Sequence, residues 1–127
     1  MERLKKRPEF LAAARGVSRA MPGLVLQARD RGDGGPARVG FTVTRKVGNA
    51  VTRNRVRRRL REAVRLTMPP LARPGFDYVV IGRLGTIARP FDLLREDLHR
   101  ALDAVHRRGP QGAGAQGARS RPARRRR

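Results

Sequence analysis

Ten acidic side chains, two histidines and no cysteine set the catalytic chemistry open to this 127-residue sequence. Without cysteine there is no thiol nucleophile, thiolate metal site or disulfide framework. An independent hydrolase needs a nucleophile beside a base, or carboxylates gathered around a metal. Here the acids are scattered. Asp30 and Asp33 fall in a turn-like stretch. Asp92, Glu96, Asp97 and Asp103 run along a helical pattern, which predicts a solvated or charge-pairing face. Asp77 stands alone near a strand start, which predicts a turn or a local hydrogen bond. His99 and His106 lack carboxylate or cysteine support and predict a surface or boundary pair rather than a metal site. Ser18 and Ser120 have no base nearby. The chain does not read as a self-sufficient catalyst.

Its conspicuous chemistry is cationic. Lys plus Arg number 31 against 10 acids, a formal net charge of +21. Such a surplus repels itself unless a polyanion neutralises it, so the predicted partner is nucleic acid. One concentration lies in Arg45–Arg65, where Glu62 is the only acid. Guanidinium is planar, permanently charged and forks onto phosphate oxygens, so arginines on an ordered helix can track a folded polyanion. A second concentration, Arg-rich and otherwise Gly, Ala, Gln, Pro and Ser, fills residues 108–127. It has nothing to bury and predicts a disordered basic tail that adds non-specific RNA affinity.

The elements that must position these groups follow from periodicity. Pro8 opens a short helix through Arg15, ended by Gly16. Leu24–Ala28 reads as a strand, Arg31–Pro36 as a turn, and Val39, Phe41 and Val43 as the buried face of a second strand. These two strands predict a hairpin. Asn49 or Thr52 caps a helix whose apolar face is Val56, Leu60, Ala63, Val64 and Thr67. Asn54, Arg58, Arg61 and Arg65 fall on its opposite face, with Arg57 and Glu62 flanking. Met68-Pro69-Pro70 stops it. Phe76–Ile81 reads as a buried strand completing a β-α-β unit, and Phe91 to Val105 as a last amphipathic helix. The order α-β-β-α-β-α is an α+β sandwich. No apolar run reaches the roughly 20 residues of a membrane helix and no signal-peptide stretch follows Met1, so a soluble intracellular protein without membrane association is expected.

High charge and a basic tail alone suit a ribosomal or general RNA-binding protein equally well, and a metal-dependent nuclease is a third reading. The spacing from Lys46 to Glu62 separates them. Lys46-Val47-Gly48-Asn49-Ala50-Val51-Thr52-Arg53-Asn54-Arg55, then Arg57-Arg58 and Arg61-Glu62, resembles the signature of the bacterial ribonuclease P protein family. Weaker likenesses are Arg3-Leu4-Lys5-Lys6, Glu9-Phe10, and Asp77-Tyr78-Val79-Val80-Ile81 followed by Arg83. The resemblance implies one domain over residues 1–107, with a left-handed β-α-β crossover of the ribosomal protein S5 domain 2-like kind, against the right-handed default. It implies a cytoplasmic subunit, bound 1:1 to ribonuclease P RNA, that assists removal of the 5′ leader of precursor tRNA. The RNA subunit performs the hydrolysis, with Mg²⁺ held mainly by that RNA and the substrate; the protein supplies neither catalytic residue nor metal ligand. By the same resemblance Lys46, Asn49, Arg53, Asn54, Arg55, Arg57, Arg58, Arg61 and Arg65 face RNA, and Phe10, Val25 and Gln27 line a leader-binding cleft. Ala14 and Gln27 stand where the family often has aromatics. Phe10 has two readings, a stacking surface or helix-to-sheet packing. Base–aromatic stacking is worth roughly 1–3 kcal/mol per base, so the two missing rings predict weak base preference in the leader.

Overall fold

A computed structural model describes residues 1–108. The elements are β1 (Glu2–Arg3), α1 (Arg7–Ala14), β2 (Val17–Met21), β3 (Leu24–Asp30), β4 (Arg38–Thr42), a 3₁₀ turn (Arg45–Val47), α2 (Ala50–Thr67), β5 (Phe76–Gly82) and α3 (Phe91–Arg108). The strands form one mixed sheet in the order β1-β4-β5-β3-β2. β5 is central, parallel to β4 and antiparallel to β3. Its run Tyr78-Val79-Val80-Ile81 is apolar on both faces, as a strand covered on both sides requires.

α2 and α3 cover one sheet face. Leu24, Leu26, Val39, Tyr78 and Val80 meet Val56, Leu60, Val64, Leu94, Leu98 and Leu102 there, in the main core. α1 covers part of the other face with a small cluster of Leu4, Ala13 and Val79, against which Phe10 and Ile81 pack. Gly40 makes this possible: a Cβ there would lie 2.5 Å from Phe10 Cζ.

The α+β class, the β4-α2-β5 unit and the three helices agree with expectation. The hairpin between Leu24–Ala28 and the Val39 strand does not form. β5 lies between them, and β3 instead pairs with β2 through the two-residue turn Pro22-Gly23. The physical reason is that β5, buried on both faces, takes the centre, while the half-exposed β2 takes an edge. β2 escapes pattern reading because its inward positions include Arg19 and an outward one is Ala20, which blurs the alternation. β1, at two residues, is too short to show any. The Val39 strand is covered on both faces, since Gly40 lies beneath α1. α3 includes Arg108, and the expected tail over residues 109–127 lies outside the described residues.

Candidate nucleic-acid interface

α2 is built to show one side. Asn49 caps it, its Oδ1 accepting from the Thr52 N–H at 2.9 Å. Gly48 sets up the cap with φ 153°, a value that side chains disfavour. Val56, Leu60, Ala63, Val64 and Thr67 are buried, the same five that periodicity assigns to the core. Asn54, Arg55, Arg58, Arg61 and Arg65 are exposed. Neighbours three and four apart on a helix have Cβ atoms about 5–6 Å from one another, so these guanidiniums form one cationic ridge.

The ridge is not uniform. Arg65 is paired with Glu62, 3.0 Å and 2.5 Å between heavy atoms, and holds that carboxyl below its ordinary range. Arg53 is half-buried and donates to the Gly48 carbonyl at 2.8 Å; Arg57 donates to Asn54 Oδ1 at 3.2 Å. Arg55, Arg58 and Arg61 have no side-chain partner among the described residues. Arg59, absent from the sequence-derived set, serves packing: it lies 5.8 Å from the Phe91 ring and donates to the Arg89 carbonyl. Lys46 is exposed where β4 gives way to α2, beside a cavity of about 390 Å³ also lined by Thr44, Arg83 and Leu84.

The other sequence-derived group assembles on the opposite sheet face. Val25 and Gln27 stand across from Ile81 and Val79, and those two belong to the cluster that holds Phe10. Phe10, Val25 and Gln27 are each half-buried. For Phe10, packing accounts for the covered part of the ring and leaves an accessible part. Ala14, at the end of α1, is exposed.

Position alone does not place Asp77. It is buried at the start of β5, where Arg38 grips it with two bonds of 2.8 and 2.9 Å and Arg31 with one of 2.6 Å. Arg38 also reaches Glu9 of α1 at 3.0 Å, so the network straps α1 to the sheet. Burial pushes the Asp77 carboxyl up, but the hydrogen bonds from Arg38 and Arg31 outweigh it and hold it below its ordinary value. The expected turn or local role is thus replaced by a long-range ion-pair hub. Its partners are 39 and 46 residues away, beyond any local pattern. Asp97 is charge-paired, as its helix predicts, but buried: it accepts from Arg89 at 2.9 and 3.0 Å and from the Gly23 N–H at 2.9 Å. His106 is not a surface residue. It is buried against Phe76 and hydrogen-bonded to the Tyr78 hydroxyl at 2.6 Å.

The fold and the ridge define a class: a small α+β domain that turns a row of guanidiniums toward solvent. Comparison with known proteins narrows it. The family model described as Ribonuclease P matches residues 1–106. The ribonuclease P protein component of Ruegeria pomeroyi is 54% identical over 106 residues, 81% of this chain and 85% of that protein. That of Gluconacetobacter diazotrophicus is 57% identical over 110 residues, 86% and 95% of the two chains. Among solved structures, the RNase P protein of Thermotoga maritima superposes with a TM-score of 0.68 at 32% identity, covering 83% of this chain and 98% of that one. The Staphylococcus aureus RNase P protein gives 0.68 at 26% identity, covering 82% and 94%. This chain belongs to the ribonuclease P protein family.

Proposed function

We propose that the chain is the protein subunit of ribonuclease P, a tRNA-processing endoribonuclease, and that it binds the RNA subunit and the 5′ leader of precursor tRNA in a 1:1 complex in the cytoplasm. The observation that carries this reading is the two-sidedness of α2, a fully buried apolar face opposite an exposed ridge containing Arg55, Arg58 and Arg61. Lys46, Asn49, Arg53, Asn54 and Arg57 extend that surface at its N-terminal end, and Arg65, partly neutralised by Glu62, extends it at the other. Arg53 and Arg61 also meet the leader. The leader passes over the opposite sheet face, against Phe10, Val25 and Gln27. Phosphates bind the guanidiniums; leader bases meet a surface with one ring rather than several, so contact there is governed by shape and charge more than by base identity. No helix among the described residues is long and apolar enough to cross a membrane.

The donor sets of the described residues do not suit Mg²⁺. The two buried carboxylates, Asp77 and Asp97, are taken up by guanidiniums, and among the described residues no three His, Asp or Glu converge. In this reading the magnesium of the reaction is held mainly by the RNA subunit and substrate, and no step is routed through it. The chain's own contribution is to bind and orient RNA. Reconstitution with a bacterial ribonuclease P RNA tests the reading: the full chain should stimulate precursor tRNA cleavage at low Mg²⁺. Absence of stimulation, or cleavage by the chain without RNA, refutes it.

A further inference from the structure

At the start of β5, the end of that strand remote from Lys46, lies a cavity of about 490 Å³ between the Pro70–Arg73 loop and the last turns of α3. His106 forms part of its wall. The Arg73 backbone N–H donates to the Tyr78 oxygen at 2.9 Å, and that oxygen is hydrogen-bonded to His106 Nε2, 2.6 Å away. Burial first, and then the nearby Arg73 charge, push the imidazole down to about 4, so it is neutral near pH 7. Its Nδ1 is buried and has no hydrogen-bond partner among the described residues, a cost of roughly 1–3 kcal/mol if nothing fills the place.

The rim is cationic. Arg73 and Arg107 both line the cavity and are exposed, and neither guanidinium has a partner among the described residues. Asp103 is the one acid in the wall, and it sits 3.7 Å from His99 Nδ1. Two unpaired guanidiniums on the rim of one cavity call for acceptor oxygens. The sequence beyond continues the charge: residues 108–127 contain no acid, and Arg124 to Arg127 are consecutive.

We propose that this cavity seats a backbone phosphate of RNA, held by Arg73 and Arg107 against the His106 wall, as a second contact separate from the α2 ridge. It rests on the reading of the chain as an RNA-binding subunit. A phosphodiester is acceptor-only and matches guanidinium forks. An RNA strand rather than a free ion accounts for the open rim and for the polycationic sequence that follows it.

The test uses the full chain and a bacterial ribonuclease P RNA. Affinity is titrated against salt for the native protein, Arg73→Gln, Arg107→Gln and the double variant, with Arg58→Ala alongside. Each lost phosphate contact should lower the log–log slope by about 0.7–0.9. The His106 imidazole resonance should move on adding RNA to the native protein and stay still in the double variant. Unchanged slopes with a motionless resonance overturn the proposal. So does a resonance that moves with inorganic phosphate but not with RNA. If Arg58→Ala lowers the slope and the cavity variants do not, only this second contact fails. If Arg58→Ala also leaves it unchanged, the RNA-binding reading of α2 fails with it.

Discussion

Replacing Asp77 with Asn isolates the ion-pair hub that ties α1 to the sheet. The native carboxylate accepts three side-chain hydrogen bonds from two guanidiniums, at 2.6, 2.8 and 2.9 Å, from a fully buried position. Removing one partner of a buried pair costs about 3–5 kcal/mol when the other charge is stranded. Neither arginine is stranded here. Arg31 keeps Asp33, at 3.0 Å through two atoms, and Arg38 keeps Glu9 at 3.0 Å. Both also retain some exposure, with side chains 10% and 24% accessible. The expected loss is therefore about 2–3 kcal/mol, which for a domain near 100 residues lowers Tm by roughly 10–20 °C. Urea titration and thermal melts followed by circular dichroism measure it. The pH dependence has a definite sign. Because the folded carboxyl sits below its unfolded value, its stabilisation is present above that value and is lost as pH falls through the folded one. The gap between native and Asn proteins should be flat above about pH 5 and close below about pH 4. A loss under about 1 kcal/mol at pH 7 with an unchanged m-value, or a gap that widens in acid, refutes the hub.

Arg58→Ala and Arg61→Ala should each reduce the salt dependence of RNA binding by about 0.7–0.9 in log–log slope, and Arg65→Ala by less because Glu62 already engages it; equal slopes for all three would contradict the graded ridge. Asn49→Ala removes the cap on α2 and should cost about 0.5–2 kcal/mol in chemical denaturation, whereas Asn49→Asp or Ser should cost far less. Gly40→Val puts a side chain where Phe10 packs, at a cost of about 1–3 kcal/mol. It should weaken binding of precursor tRNA with a leader more than binding of leaderless tRNA, as measured by competition.

The parts of this fold that were readable in the sequence are those whose reasons are local. The faces of α2 follow from a 3.6-residue period strong enough that each buried position falls where the pattern puts it, from Val56 to Thr67. The Asn49 cap and the Met68-Pro69-Pro70 stop are local chemistry too. Strand pairing is not local. Nothing near Leu24–Asp30 says that its partner is Phe76–Gly82 rather than Arg38–Thr42. The burial of Asp77 and His106 depends on Arg31, Arg38 and Tyr78, which only the folded sheet brings near. On α2 the residue types that attract RNA and those that hold the helix to its neighbour are the same, and only Phe91 and the Arg89 carbonyl reveal that Arg59 belongs to the second kind.

The central place of β5 has a consequence for when this protein can recognise anything. Until residues 76–82 are in position, β1-β4 and β2-β3 are two unconnected ribbons. α2 then lacks the β5 part of the surface it docks on. Freed from that surface, an 18-residue helix crowded with like charges is marginal in water. The arginine ridge therefore takes part of its direction from a strand that contributes no cation to it. A polyanion that binds the aligned ridge selects the finished sheet, so RNA should act on this chain as a folding ligand, raising its melting temperature in proportion to the logarithm of RNA concentration.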